Sequence, residues 1–213
     1  MDVAIRQNFG PSRPNVARWM GLAFLAAALV ALLVLAVVGH GERGTSDALI
    51  VTARMSFVLF WLAYTGSALA ALFGPRLQPI KRRGREFGLA FVAAHTVHVA
   101  LVAWLCWIGA APVLGVFVFF GIALIFMYLL ALASIGAVRR LLGQVGWRAL
   151  QVVGMNYIAY AFAVDFLKVQ HYGSLRFLVA YLPFAVLSVV GPALVVAALM
   201  LRAARSWGPA LLR

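Results

Sequence analysis

The sequence predicts an all-α integral membrane protein, a six-transmembrane-helix bundle, and three observations carry that prediction. Of its 213 residues, 65% are hydrophobic and only 11% charged. A soluble domain carries about a quarter charged residues and about half apolar ones. A single core of this size cannot enclose the excess, which excludes a soluble enzyme, a disulfide-stapled secreted module and a disordered tail. Six stretches also reach the roughly 20 apolar residues that a helix needs to cross a bilayer. Finally, the basic residues gather between those stretches on alternate sides.

The spans are expected near 19–39, 49–73, 88–110, 113–137, 149–167 and 177–201. They form one transmembrane domain over 19–201, with an N-tail at 1–18 and a C-tail at 202–213. Their apolar residues run all round the helix, as where lipid replaces water. The first span follows a basic leader ending at Arg18 and has no A-x-A site before a polar region, so it reads as a retained helix rather than a cleaved signal peptide. The second carries Arg54, and the third His95 and His98. The fourth leads into Arg139–Arg148, an interfacial stretch with Trp147 as headgroup anchor. The fifth is the shortest and most polar, with Gln151, Asn156, Tyr157, Tyr160 and Asp165. Its polarity places it centrally, with spans two to five as the inner core. The sixth runs into the C-tail.

The formal charge of +13 comes from 18 Lys and Arg against 5 Asp and Glu. Arg6, Arg13 and Arg18 precede span one; Arg76, Lys81, Arg82, Arg83 and Arg85 follow span two. Arg139, Arg140 and Arg148 follow span four, and Arg202, Arg205 and Arg213 end the chain. The other side has Arg43, Lys168 and Arg176. The positive-inside rule therefore puts both termini in the cytoplasm. In a soluble chain this charge would point to nucleic acid. Here it flanks apolar runs and meets anionic lipid, so the bilayer is the expected partner and nucleic acid is not. The Lys81–Arg85 cluster reads first as an orientation signal, and could also cradle lipid phosphate or dock an acidic partner. Cys106 is the single cysteine, so no intrachain disulfide forms. The chain shows no Zn-type cluster, no Gly-rich dinucleotide fingerprint and no inverted pair of broken helices. No connection has room for an FAD or NAD domain.

Ionisable groups at membrane depth are expensive, which makes each a functional candidate. His95 and His98, three apart, share a face of the third span. His98 lies about 15 Å from Gly88, near mid-membrane. A neutral imidazole there suits an axial haem ligand; the bland reading is a histidine hydrogen-bonded to a facing Tyr, Gln or carbonyl. Gln151 and Asp165 fall on one face of the fifth span, about 21 Å apart. Asp165 needs a partner, a proton or water near the outer interface. Arg54 enters from the same side, so an Arg54–Asp165 pair is expected, with snorkelling of Arg54 to the headgroups as the alternative.

From His40 to Phe166 the chain resembles the ferric-reductase-like transmembrane domain family, and within it the haem membrane subunits of periplasmic methionine sulfoxide reductase systems. His40-Gly41 closes the first span as in those subunits, and Thr52-Ala53-Arg54 opens the second like their T-G-R. Arg85-Glu86-Phe87-Gly88-Leu89 is similar to R-R-x-L-G-L, and His98 falls ten residues after that Gly, at the family's third-helix ligand position. Leu142-Gly143 and Trp147-Arg148-Ala149-Leu150-Gln151 resemble L-G-x-x-W-x-x-L-H with one extra residue. The chain departs at the final position, where the family's ligand His is Gln151. The second fifth-helix His meets Val164 or Asp165.

The resemblance implies a membrane redox subunit that passes electrons through b-type haem to or from a partner. His98 would be an axial ligand, His95 an alternative or supporting ligand, Arg54 a propionate or outer-loop partner, and Gln151 would stand where a ligand is lost. Electrons would come from quinol or a separate reductase, and further membrane subunits are possible partners. At most the chain is an electron-transfer subunit, in a bacterial-type inner membrane. The missing fifth-helix ligands leave open a haem-free structural or assembly subunit. A small transporter, lined by Asp165, Arg54 and the His pair, is the third class.

Overall fold

The computed structural model describes residues 13–134, 136–168 and 175–207. Arg6 and Arg213, and the side chains of Arg13 and Arg176, lie outside the described residues. Inside lipid every backbone donor and acceptor must be satisfied within its own segment, which favours long uninterrupted helices. The described chain runs α1 (Arg13–Val38), α2 (Glu42–Phe73), a 3-10 turn (Pro75–Leu77), α3 (Gln78–Arg82), α4 (Gly84–Trp107), α5 (Leu114–Ala133), α6 (Gly136–Phe166) and α7 (Leu175–Trp207). Six of these helices, all but α3, are long and apolar enough to span a membrane, one for each expected span.

The helices alternate in direction because their connections are short. Gly39, at φ 105°, ends α1 in a conformation that suits glycine and lets α2 start at Glu42. At the other end of α2, Ile80 of α3 packs onto Gly66, where any Cβ would sit 3.2 Å from its Cγ2. Side chains pin the ends together. Arg85 donates to the Ser134 carbonyl at 3.1 Å, and Arg202 donates to the Ser67 hydroxyl at 3.2 Å. These bonds gather the exposed cations Arg76, Lys81, Arg82, Arg83, Arg139 and Arg205 at one end of the bundle. At the opposite end, Trp104 donates to the His40 carbonyl at 3.1 Å and Trp107 is exposed, as in an aromatic belt.

α2 is the hub, touching α1, α3, α4 and α7, while α5 pairs with α6 and α6 with α7. Half of α4's most apolar stretch and 44% of α2's are buried, against 11% for α5. The expectation that spans two to five form the inner core is therefore corrected: α5 is peripheral. One core joins Phe57 and Phe60 of α2, Phe91 of α4, Phe162 and Phe166 of α6 and Tyr181 of α7. The other is built of small residues, Ala27 and Ala31 of α1 against Ala48 of α2 and Ala94 of α4, which let backbones approach closely. α6 is helical on both sides of Gly143, which breaks it at φ 64°, ψ −179°. The Arg139–Arg148 stretch thus straddles the break, with Arg139 over the Trp147 ring at 5.4 Å.

Candidate functional site

The antiparallel register of α2 and α4 brings two pairs of polar residues face to face. On α2, Thr52 and Ser56 are four apart and both fully buried. On α4, His95 and His98 are three apart, so each pair shares a helix face. His98 Nδ1 lies 3.2 Å from Thr52 Oγ1, and His95 Nδ1 lies 3.0 Å from Ser56 Oγ. The two imidazoles stack on one another, with centroids 4.8 Å apart and planes at 18°. Both rings are half-buried.

Aromatic rings close the site towards the rest of the core. His95 meets Phe91 at 5.3 Å and the edge of Phe162 at 6.0 Å. Phe162 packs in turn on Phe57 at 5.0 Å and on Phe60 at 5.5 Å. The site therefore sits where the aromatic core and the alanine seam meet, and few waters could enter from that side.

A second polar group lies one turn further from the basic end. Asp165 pairs with Lys168 at 2.6 Å. The Arg54 guanidinium lies over Tyr181 at 4.5 Å and Phe184 at 5.5 Å, and its Nε is buried without a hydrogen bond. The Asp165 carboxylate is within electrostatic reach of both His98 and Tyr181, and Arg54 and Asp47 are within reach of Tyr181. The expected Arg54–Asp165 ion pair does not form within 4 Å. Lys168, three residues on in the same chain end, meets Asp165 at little cost in chain entropy, while α2 turns Arg54 towards α7 rather than α6.

The structure thus brings His95, His98 and Asp165 towards one another, and leaves Gln151 apart. Gln151 is exposed and lies eleven residues before Phe162 on α6, about 16 Å along the axis. Sequence reasoning missed Thr52 and Ser56 as partners of the histidines. The signal was available, since hydroxyls four apart on one apolar span match imidazoles three apart on another. It also missed Glu86, which is 4% exposed, with Oε2 lacking a hydrogen bond.

The donor set decides what could be held here. Among the described residues no three His, Cys, Asp or Glu side chains cluster as a metal site. Two imidazoles on one helix face suit one axial position of a haem. They do not supply a bis-histidine site, because facing α6 offers Phe162 to His95 and the Asp165 carboxylate towards His98. Compared with protein-family models, with curated proteins and with solved structures, the chain matches none.

Proposed function

We propose that this chain is a membrane redox subunit of ferric-reductase-like type, in which the His95–His98 pair holds b-type haem through a single protein nitrogen. The observation that carries the reading is the stacked pair itself: two imidazoles inside a helix bundle, each tied at Nδ1 to a buried hydroxyl of α2. Ligating histidines are oriented in this way, through a hydrogen bond on the ring nitrogen that does not ligate. Bound haem supplies reversible one-electron transfer, tuned by the axial ligand and its hydrogen bonding. The chain's own residues orient and shield. Thr52 and Ser56 fix the rings, Phe91 and Phe162 exclude water, and Arg54 offers an unmatched donor to a propionate. Quinol or a separate reductase is the electron source in this reading, and the membrane is a bacterial inner membrane with both termini cytoplasmic.

Oxidised and dithionite-reduced absorption spectra of detergent-purified protein, expressed with ample haem, test the proposal. A stoichiometric b-type signal that disappears in His98→Ala supports it. Folded protein without haem overturns it. The second reading, a haem-free structural or assembly subunit, is favoured by the packing of Phe162, rather than a second ligand, against His95. Since α6 carries no histidine, this reading predicts absent haem and co-purification with a membrane partner.

A further inference from the structure

The hydroxyl protons on α2 decide which nitrogen of each histidine carries hydrogen. Thr52 Oγ1 donates to the Ala48 carbonyl at 2.8 Å, with the Leu49 carbonyl at 3.2 Å. Ser56 Oγ donates to the Ala53 carbonyl at 3.0 Å. A hydroxyl has one proton and two lone pairs, so once its proton goes to its own helix it can only accept from a histidine. Phe91 and Phe162 also pack against His95. Neither ring offers an oxygen to an Nε2–H.

We infer that Thr52 and Ser56 are positioning residues that hold both imidazoles as Nδ1–H tautomers, making the pair a Lewis-base site with two Nε2 lone pairs. Such a site takes an electrophile, a haem iron or a proton, and has no hydrogen to donate to an anion. No hydrogen bond to either Nε2 is present among the described residues. Each ring depends on one hydroxyl, His95 on Ser56 and His98 on Thr52. Removing either hydroxyl therefore releases its histidine.

The inference deepens the haem reading for the same site, but its test is made first on haem-free protein. Imidazole ¹⁵N spectra of histidine-labelled protein in lipid bilayers, assigned with His95→Gln and His98→Gln, report the tautomer of each ring. Expected are protonated-type signals at both Nδ1 and unprotonated-type signals at both Nε2. Ser56→Ala should shift His95 to the other tautomer or a mixture, Ser56→Thr should restore it, and Thr52→Val should do to His98 what Ser56→Ala does to His95. An Nε2–H signal for either ring in wild-type protein, or a His95 tautomer indifferent to Ser56→Ala, overturns the inference, and the wild-type spectrum alone suffices if the variant does not fold. Haem is then added. If one ring keeps Nδ1–H while its Nε2 signal is lost to iron, the iron source is identified. If haem leaves both signals unchanged, the haem reading falls while the tautomers stand.

Discussion

Replacing Gly191 with alanine tests the packing of α7 on α2 in a way that fixes the sign of the effect. A Cβ at Gly191 would lie 2.9 Å from Trp61 Nε1, 3.3 Å from Trp61 Cδ1 and 3.5 Å from Thr65 Cγ2. Trp61 cannot swing away cheaply, because its Nε1 donates to the Leu187 carbonyl at 2.9 Å. Overpacking of this kind costs about 1–3 kcal/mol. The loosened hydrogen bond adds about 0.6 kcal/mol, the average for such bonds in membranes. Alanine in a helix returns at most about 1 kcal/mol relative to glycine. The net loss is thus about 0.6–2.6 kcal/mol when the full propensity gain is returned. Gly121 on α5 is the control, since its Cβ would meet nothing within 4 Å, and Gly121→Ala should be neutral or slightly stabilising. The assay is reversible unfolding in mixed micelles followed by circular dichroism. Trp61→Phe combined with Gly191→Ala should cost less than the two single changes together, because the smaller ring relieves the contact. A Gly191→Ala protein as stable as wild type, or more so, would refute the packing.

At the break in α6, Gly143 has φ 64° and ψ −179°, a region essentially confined to glycine; Gly143→Ala should cost about 1–3 kcal/mol or straighten the helix, and spin-label distances across the break would show which. Tyr64 donates to Asn156 at 2.7 Å, so a Tyr64→Phe and Asn156→Ala double-mutant cycle should give a coupling of about 0.6 kcal/mol, and zero coupling would remove that bond between α2 and α6. The Asp165–Lys168 pair has side chains 32% and 38% exposed, so Lys168→Gln should change stability by less than about 1 kcal/mol; a larger loss in the same unfolding assay would show that Lys168 supports more than this pair. Cysteines placed at Arg82 and Arg205 should both be labelled from the same side of the membrane, and labelling from opposite sides would break the six-span arrangement.

The spans were legible because lipid imposes a length and a composition that few other environments do. Their ends were less so. α2 begins at Glu42 rather than near 49, since a helix continues past the apolar run wherever its backbone bonds still favour it. α6 begins at Gly136 rather than near 149, because the interfacial stretch is itself helical. The His pair was legible from its spacing alone. Its partners were not, because which residues of α2 face α4 depends on register and rotation, and those are set by contacts such as Ala48 with the α1–α4 seam. The same missing variable explains the Arg54–Asp165 expectation. The rotation that turns Arg54 onto Tyr181 and Phe184 is a property of the assembled bundle.

Four hydroxyl residues of α2 are fully buried, Thr45, Thr52, Ser56 and Thr65, and comparing them separates packing from function. Each donates its proton to a carbonyl of its own chain: Gly41 for Thr45, Ala48 for Thr52, Ala53 for Ser56 and Trp61 for Thr65. Thr45 and Thr65 stop there, and a hydroxyl satisfied within its own chain needs no further explanation. Thr52 and Ser56 take a second partner, and in both cases it is a histidine. Stability alone does not account for that arrangement, since a hydrogen bond between membrane helices is worth only about 0.6 kcal/mol on average. Apolar side chains of similar shape would fill the same space without desolvating two imidazoles. A bundle otherwise built from alanine and phenylalanine thus carries two stacked rings, both held from one side, with the remaining nitrogen of each left without a hydrogen bond. Those two nitrogens, rather than Gln151 or Asp165, are therefore where the site's chemistry is to be sought.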